Sequence, residues 1–351
     1  MNTQTSYFKK ALVVLMAVMM VFTMMPGMAW ATDVTDTGGE QATTVASGNC
    51  GSDDVTYTLY SDGRLVIRGT GTTGAISKVP LTKQEKAQVT GITIDGNVDS
   101  IGQRVFSAYT NLKSVDLGSV TSIGNGAFYG CANLESIRAD SVTSIGMQAF
   151  YGCANLESIQ ADSATSIGMQ AFNNCKKIKT ISLKALTDSK NIPITNSLES
   201  LTIGEKTDSK FISNLVKASS LKELNIPEGN QSLKVENSLL LSKDGTKLYY
   251  TLRNGETNIT IPDTVTSIEK NAFANYSELT HVSLPNSLQT IGASAFKDCT
   301  GLKEMLIPTG VTTIDSTAFS GCSNLKAFTM NGEGETYRVQ NGILLSDGGK
   351  A

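Results

Sequence analysis

Histidine and tryptophan are almost absent from this chain, which has one of each among its 351 residues. Most general acid–base and metal sites use histidine together with other titratable groups, so a single histidine leaves little room for such chemistry. The serine-elbow, zinc-helix, paired-cysteine and phosphate-loop motifs are missing as well. We therefore expect a protein that is not an enzyme and that uses no cofactor.

The single histidine, His281, stands in SELTHVSL just before the apolar residue Val282. Its strand register directs it toward solvent, and Glu304 is the best partner that a neighbouring strand offers. We expect a surface histidine, because catalysis or metal binding needs more converging groups. The Asp-Gly pairs lack the further carboxylates of a calcium loop, so we expect them to be turns.

Charge of one sign is not concentrated anywhere. The chain has 29 basic and 32 acidic residues, mixed along its length, and a net charge of −3. Nucleic acids and anionic membrane surfaces bind clusters of Lys and Arg, and no such cluster occurs here. The sequence therefore argues against a nucleic-acid partner.

Long hydrophobic runs are limited to one, ALVVLMAVMMVFTMM at 11–25, which two lysines precede. A Pro-Gly pair and the small–x–small triplet ending at Ala31 follow it, as in a secretory signal peptide. We expect cleavage after Ala31, a secreted or cell-surface location and no membrane insertion afterwards. An uncleaved membrane anchor is the alternative.

Cysteine is scarce, and its spacing does not suit a disulfide framework, although exported proteins often have one. Five of the six cysteines recur in steps of 22 or 23 residues: Cys131, Cys153, Cys175, Cys299 and Cys322. Because each holds the same place in a repeated pattern, we favour buried free thiols over bonds between stacked neighbours. Cys50 lies outside the pattern and stays unassigned.

The chain is rich in internal repetition. Residues 143–162, TSIGMQAFYGCANLESIQAD, share 17 of 20 letters with residues 121–140. Columns of Ile, Phe and Leu keep a 22-residue step at first and a 23-residue step later. Such a period is typical of a solenoid, in which each unit buries its apolar face on the next. We therefore expect Phe128, Phe150 and Phe172 to be stacked and buried.

Each unit combines two local patterns. The segment LESIRA at 134–139 ends in period-2 alternation, which predicts a short strand. Ile145, Ala149 and Cys153 then follow at i, i+4 and i+8, which predicts a short helix or helical turn. Between 184 and 232 the second half of the unit is missing, and Phe211, Leu215 and Val216 predict a substitute helix.

The shared motif TSIGxxAFxGCxxLxxI resembles the BspA-like leucine-rich repeats of bacterial surface proteins. The resemblance is clear over 98–183 and 258–330 and loose over 184–257. It implies an α/β solenoid of 22–23-residue units, with parallel strands on a concave face, helices outside, an N-terminal β-hairpin cap and a β-hairpin insertion. It also implies a non-enzymatic exported protein that adheres to host or neighbouring-cell proteins.

Composition and turn signals divide the chain into segments. Alternating residues around Asp62-Gly63 predict the cap hairpin. The C-terminal segment YRVQNGILLSDGGKA is similar to LKVENSLLLSKDGTK of the insertion, but it stops in the middle of the second hairpin. The predicted segments are a signal peptide (1–31), a disordered linker (32–48), an N-terminal β-cap (49–90), a first repeat block (91–232), a β-hairpin insertion (233–260), a second repeat block (261–330) and an incomplete, truncated hairpin (331–351).

The expected concave face carries small, hydroxyl-rich side chains and few aromatic rings. Carbohydrate sites usually need stacking aromatics, so we expect an extracellular or host-surface protein as partner, and a monomeric chain. The candidate contacts are Asp116, Arg138, Gln160, His281 and Glu304. A spacer that displays a missing C-terminal domain is the alternative function, and an exported hydrolase is a third.

Overall fold

A computed structural model describes residues 42–346 apart from positions 53, 73, 333 and 335. The predicted signal peptide, with its cleavage site, lies outside the described residues. The predicted disordered linker over 32–48 is wrong for its last part, because residues 44–48 belong to a β-strand that ends at Asn49. Backbone pairing with the next strand holds this segment, although nearly all of its side chains are exposed.

Three antiparallel strands open the fold: β1 (Thr44–Asn49), β2 (Val55–Tyr60) and β3 (Arg64–Gly69). Val55, Tyr57 and Leu59 alternate toward the core, as a strand with one buried face requires. The turn between β2 and β3 contains Gly63 at φ +86°, a left-handed conformation that glycine adopts without strain. β3 then pairs in parallel with the first coil of the repeats.

Short parallel strands continue this sheet and build a second one beside it. They are β4 (Ala75–Ile76), β5 (Gly91–Gly96), β6 (Ser100–Ile101), β7 (Ser114–Asp116), β8 (Ser122–Ile123), β9 (Ser136–Arg138), β10 (Ser144–Ile145), β11 (Ser158–Gln160), β12 (Ser166–Ile167), β13 (Thr180–Leu183), β14 (Ser200–Ile203) and β15 (Glu223–Asn225). The first sheet runs β1-β2-β3-β5-β7-β9-β11-β13-β14-β15, and the second runs β12-β10-β8-β6-β4. Ser144 pairs with Ser122 on one side and with Ser166 on the other, so successive coils stack in register as a β-solenoid.

Helices contribute little to the described residues. The helix α1 (Lys83–Gln88) lies before the regular coils, and 3₁₀-helices cover Ser189–Asn191 and Lys210–Lys217. The last of these is the predicted substitute helix, and it buries Phe211 and Leu215. The solenoid is otherwise made of strands and turns.

The short helix predicted around Ile145, Ala149 and Cys153 is wrong, because residues 147–152 form turns. Alternate amides of these turns bond to the next coil: the Phe150 amide donates to the Ala171 carbonyl at 2.8 Å, whereas the Tyr151 amide donates within its own turn to the Gln148 carbonyl at 3.1 Å. Gln148 (φ 54°) also has a left-handed backbone, which interrupts a right-handed helix. The helical spacing of inward residues therefore reflects successive tight turns.

Aromatic and aliphatic columns fill the space between the two sheets. Phe128 stacks on Phe150 with ring centroids 5.2 Å apart, and Phe150 stacks on Phe172 at 5.2 Å. All three rings are buried, which confirms the stacking expected from their spacing. Phe273, Phe296 and Phe319 form a matching column further along.

A hairpin interrupts the coils in the middle of the chain. It consists of β16 (Leu233–Glu236) and β17 (Leu239–Ser242), and a third antiparallel strand, β18 (Lys247–Thr251), pairs with β17. The following strands are β19 (Asn258–Thr260), β20 (Ser267–Ile268), β21 (His281–Ser283), β22 (Thr290–Ile291), β23 (Glu304–Leu306), β24 (Thr313–Ile314), β25 (Ala327–Thr329), β26 (Tyr337–Gln340) and β27 (Ile343–Ser346). β18 pairs in parallel with β20, so the hairpin leads directly into the next coils.

The hairpin separates two hydrophobic cores. Leu240 and Tyr250 belong to the core of the coils before it, whereas Leu239 and Leu241 belong to the core of the coils after it. Because side chains alternate across a strand, β17 is covered by apolar side chains on both faces.

Candidate functional site

The predicted contacts Asp116, Arg138 and Gln160 lie side by side on β7, β9 and β11. Their parallel register places them at equivalent positions of successive coils. The Arg138 guanidinium is 2.8 Å from an Asp140 carboxylate oxygen and 3.6 Å from an Asp116 carboxylate oxygen. These three predicted residues therefore form one cluster on the solvent face of the ten-stranded sheet.

Charged residues next to the ends of β11 and β13 are also paired. Ion pairs join Lys179 to Glu157 at 3.1 Å and Lys184 to Asp162 at 2.7 Å. Exposed pairs of this kind stabilise the fold by at most about 1 kcal/mol each. Their main consequence is that the strand face presents nearly balanced charge to a partner.

The other two predicted contacts lie elsewhere. His281 is on β21, which pairs with β19, and Glu304 is on β23, which pairs with β25. Both side chains are exposed, and neither belongs to the ten-stranded sheet that carries Asp116. In the part of the chain that the structure describes, no group of three or more His, Cys, Asp or Glu residues could hold a metal ion.

A second surface, which sequence reasoning missed, lies on the turns that follow β6, β8, β10 and β12. We call it the turn flank and define it by Arg104, Tyr129, Tyr151, Met147 and Met169. The Tyr129 and Tyr151 rings stack with centroids 5.0 Å apart, and the Arg104 guanidinium carbon lies 5.5 Å from the Tyr129 centroid. Met147 and Met169 are 47% and 61% exposed.

The signal for the turn flank was present in the aligned repeats. The column of Met147 and Met169 begins with Gln103 and Asn125, so two polar positions are followed by two apolar ones. An exposed column has no packing reason to become apolar. The switch from polar to apolar residues at this repeat position therefore indicates a binding surface, whereas the regular spacing of the repeats does not.

A groove of about 370 Å³ opens at the end of the turn flank, where the regular coils give way to the two 3₁₀-helices. Its apolar lining includes Met169, Ile192 and Pro193. Lys190 and Lys217 also line it and are exposed, the Lys217 ammonium donates to the Asn214 side-chain oxygen at 3.2 Å, and no Asp or Glu is among the lining residues. Neither lysine forms an ion pair with a carboxylate of the described residues, so the groove is locally positive.

The geometry now defines the class of protein. Coils of short parallel strands, stacked in register around columns of Ile, Leu and Phe, make a leucine-rich repeat solenoid. The chain belongs to the BspA type leucine rich repeat family, whose model matches six copies over residues 84–192, 144–238 and 246–340.

Several solved structures of bacterial proteins are similar to this chain. A leucine-rich repeat protein of Eubacterium ventriosum is 25% identical, with 81% of this chain and 72% of that one covered and a TM-score of 0.45. A leucine rich cell surface protein of Faecalibacterium prausnitzii is 20% identical (84% and 97% covered, TM-score 0.43). The pneumococcal vaccine antigen PcpA is 19% identical (81% of each chain covered, TM-score 0.42). No curated protein matches the sequence.

The helices of the described residues are short. None of them is long and apolar enough to cross a membrane.

Proposed function

We propose that this chain is an exported, non-enzymatic protein that binds another protein at the bacterial surface through the turn flank and the adjoining groove. Membership in the leucine-rich repeat family supports a role in protein–protein interaction. The observation that carries the proposal is the exposure of Met147 and Met169 on the same series of turns that carries the stacked Tyr129 and Tyr151.

The composition of the turn flank supports a protein partner. Tyr, Met and Arg are enriched in the buried centres of protein interfaces, whereas Ser, Asp and Glu are depleted there. Fully burying a Met side chain contributes about 1.5–3 kcal/mol, so the half-exposed Met147 and Met169 offer about half of that each, before the cost of association. The strand face offers hydroxyls and balanced ion pairs instead, so we assign it a secondary part in binding.

The groove indicates the chemistry of the partner. Lys190 and Lys217 supply uncompensated positive charge to its lining, and Met169 with Ile192 supplies apolar surface. A segment that inserts an apolar side chain next to an acidic one satisfies both features. We therefore propose an acidic, partly apolar segment of an extracellular-matrix or neighbouring-cell protein.

The binding test uses the full secreted chain, immobilised and probed with purified fibronectin, laminin and collagen. We expect saturable binding to at least one of them, weakened at least tenfold by the double variant Met147→Asp/Met169→Asp. The charge reversal Lys190→Glu/Lys217→Glu should weaken binding and flatten its dependence on salt, because exposed charges act through screened electrostatics.

The matched control is Arg138→Glu on the strand face, which we expect to leave binding within twofold. If Arg138→Glu abolishes binding and the methionine variant does not, the strand face is the binding surface and the turn flank is not. Lack of saturable binding across the three proteins contradicts the adhesive function.

Export is tested separately. N-terminal sequencing of chain recovered from the medium or from the cell surface should start at Thr32, directly after the predicted cleavage site. A chain that is found only inside the cell, with its first 31 residues intact, contradicts export.

We further propose that the scaffold is built from 22–23-residue units and that β1–β3 serve as its cap. Val55, Leu59 and Leu65 are fully buried, and they cover apolar side chains of the first coil that water would otherwise reach. Replacing Leu59 and Leu65 with Asp should make the chain aggregate, because the first coil would lose its cover.

A further inference from the structure

Four asparagines of the chain are followed directly by glycine: Asn125, Asn254, Asn331 and Asn341. In such a pair the glycine amide nitrogen can attack the asparagine side-chain carbonyl carbon, because the glycine has no Cβ that blocks the approach. A fold prevents or permits this reaction according to how tightly it holds the two groups. The fold holds Asn125 and Asn254 in contrasting ways.

The Asn125 pair is fixed by the next coil. The Gly126 amide donates to the Met147 carbonyl at 2.9 Å, and the Asn125 side-chain oxygen accepts from the Met147 amide at 2.8 Å. Gly126 is also buried, and a Cβ there would lie 3.2 Å from the Arg104 side chain. The attacking nitrogen and the attacked carbonyl are therefore both engaged, and neither can turn toward the other.

The Asn254 pair lies in an exposed bend between β18 and β19. Among the described residues, no group accepts a hydrogen bond from the Gly255 amide. Gly255 has φ +86°, and a Cβ added there would meet no atom within 4 Å. The attacking nitrogen of this pair is therefore free to move.

The Asn254 side-chain amide, in contrast, is oriented by two neighbours. Its oxygen accepts a hydrogen bond from the Glu256 amide at 3.3 Å, which polarises the carbonyl that is attacked. Its nitrogen donates to the Ser238 hydroxyl oxygen at 2.6 Å and to a Glu256 carboxylate oxygen at 3.2 Å. The nitrogen that must leave is therefore in contact with a hydroxyl group.

We propose that Asn254–Gly255 is a self-modification site, at which the folded chain deamidates with Ser238 as the catalytic proton donor. The Gly255 nitrogen gives its proton to hydroxide and bonds to the Asn254 side-chain carbon, whose C=O electron pair moves onto the oxygen that the Glu256 amide holds. When this pair returns, the bond to the side-chain nitrogen breaks, and that nitrogen takes a proton from Ser238 and departs as ammonia. Ser238 regains a proton from water, which restores the hydroxide.

Water then opens the five-membered imide and leaves a carboxylate at position 254, in aspartate or isoaspartate. The new carboxylate cannot donate to Ser238, and it faces the Glu256 carboxylate, which repels it. Ser238 belongs to the junction of the two cores, because its carbonyl accepts from the amide of the buried Leu252 at 2.8 Å. We therefore expect this junction to loosen as the protein ages. The site is separate from the turn flank and the groove and does not depend on partner binding.

The experiment incubates the full chain in oxygen-18 water at mildly alkaline pH and follows its peptides by mass spectrometry. We expect position 254 to change from amide to acid, with one labelled oxygen, at least ten times faster than position 125. In concentrated urea the difference should largely disappear, because the fold then holds neither pair.

Two variants test the roles of the named groups. Ser238→Ala should slow the reaction at position 254 at least threefold and leave position 125 unchanged. Asn254→Gln is the matched control, because its cyclisation needs a less favourable six-membered ring, and it should stay unmodified at that position. After the same incubation the parent chain should melt at a lower temperature than before, whereas Asn254→Gln should show a smaller change.

Two results overturn the proposal. One is equal rates of deamidation at Asn254 and Asn125 in the folded parent chain, a comparison that needs no variant to fold. The other is a Ser238→Ala variant that keeps the parent's circular dichroism spectrum and reacts at position 254 as fast as the parent, because the hydroxyl then supplies no proton.

Discussion

The Cys153 thiol donates a hydrogen bond to the Phe128 carbonyl oxygen of the preceding coil, at a distance of 3.3 Å. The same contact recurs from Cys131 to Phe106 and from Cys175 to Phe150, both at 3.1 Å. The carbonyls belong to the column whose rings form the aromatic stack. Cysteine is thus present because it is small enough for the core and still supplies a donor.

Replacing Cys153 with Ala should destabilise the chain by about 0.5–1.5 kcal/mol, because the buried Phe128 carbonyl loses one of its two donors, the other being the Cys131 amide at 3.2 Å, and a small cavity opens. Urea unfolding of the variant beside the parent chain measures the loss. Cys153→Ser, which keeps a donor, should lose less. An Ala variant as stable as the parent would show that the thiol contact does not contribute.

Stability should fall as the pH rises above about 9, the ordinary pKa of a thiol. Burial raises the pKa of Cys131 and of Cys299 to about 12, so the folded chain keeps protons that the unfolded chain releases. The stabilisation is therefore complete below about pH 9 and is lost progressively toward pH 12, by up to about 1.4 kcal/mol per pH unit for each thiol. Cys131→Ala should make the slope of unfolding free energy against pH shallower.

Phe150→Ala should cost about 3–5 kcal/mol, since it removes a ring that is 1% exposed from the middle of the aromatic column. A thermal melt measures the loss. Tyr151→Ala is the matched control, because Tyr151 stacks on Tyr129 at the surface and should cost less than about 1 kcal/mol. Equal losses for both variants would contradict the buried stack.

Asp208→Ala should destabilise the irregular coils by about 1–3 kcal/mol. The Asp208 carboxylate accepts hydrogen bonds from the Ser189 amide at 3.0 Å and hydroxyl at 2.5 Å, and it is 2.7 Å from the Lys210 ammonium. Ser189 is fully buried, so its amide would lose its partner. Urea unfolding at neutral pH measures the change.

The same residue predicts an acid dependence. Desolvation raises the pKa of Asp208, but the hydrogen bonds from Lys210 and Ser189 outweigh it, and the net pKa lies below the ordinary 3.8. Stability from this group is thus present above about pH 4 and is lost as the pH falls through the lowered pKa. Asp208→Asn should reduce that acid dependence; an unchanged profile would contradict the role of the carboxylate.

Arg253→Ala should uncouple the two cores. The Arg253 guanidinium lies 5.2 Å from the Tyr250 ring centroid and 4.3 Å from that of Tyr276, and it donates to the Ala274 carbonyl at 2.7 Å. Tyr250 belongs to the first core and Tyr276 to the second. We expect urea unfolding, followed by circular dichroism, to split into two transitions. Arg253→Lys, which keeps the charge but not the planar fork, should split it less; one unchanged transition in both variants would contradict the coupling.

Much of the architecture could be predicted from the sequence because identical coils place identical residues in identical surroundings. The Phe column and the strands at Ser136–Arg138 and Ser158–Gln160 follow from spacing alone. The helix predicted around Ala149 was wrong, because a period of about four residues is also typical of tight turns in which alternate amides bond to the next coil. Intercoil hydrogen bonds leave no mark in the sequence of one coil.

One part of the candidate binding surface could be predicted from the sequence, and another part could not. Asp116, Arg138 and Gln160 were predicted as contacts of one strand face from their equivalent places in successive repeats, and the structure places them side by side. The turn flank and the groove beside Met169 were not predicted. Both depend on which side of a turn meets solvent and on where the 3₁₀-helices pack.

The sequence by itself determined that the coils stack. Large apolar residues at a fixed step can be buried only if each coil lies on the next, and leaving them exposed to water is unfavourable. Only the tertiary structure decided how each coil closes, which methionines stay exposed, and that β17 is covered on both faces, at Leu239 and at Leu240. These outcomes depend on contacts between residues distant in the chain, and neither local pattern nor composition encodes their geometry.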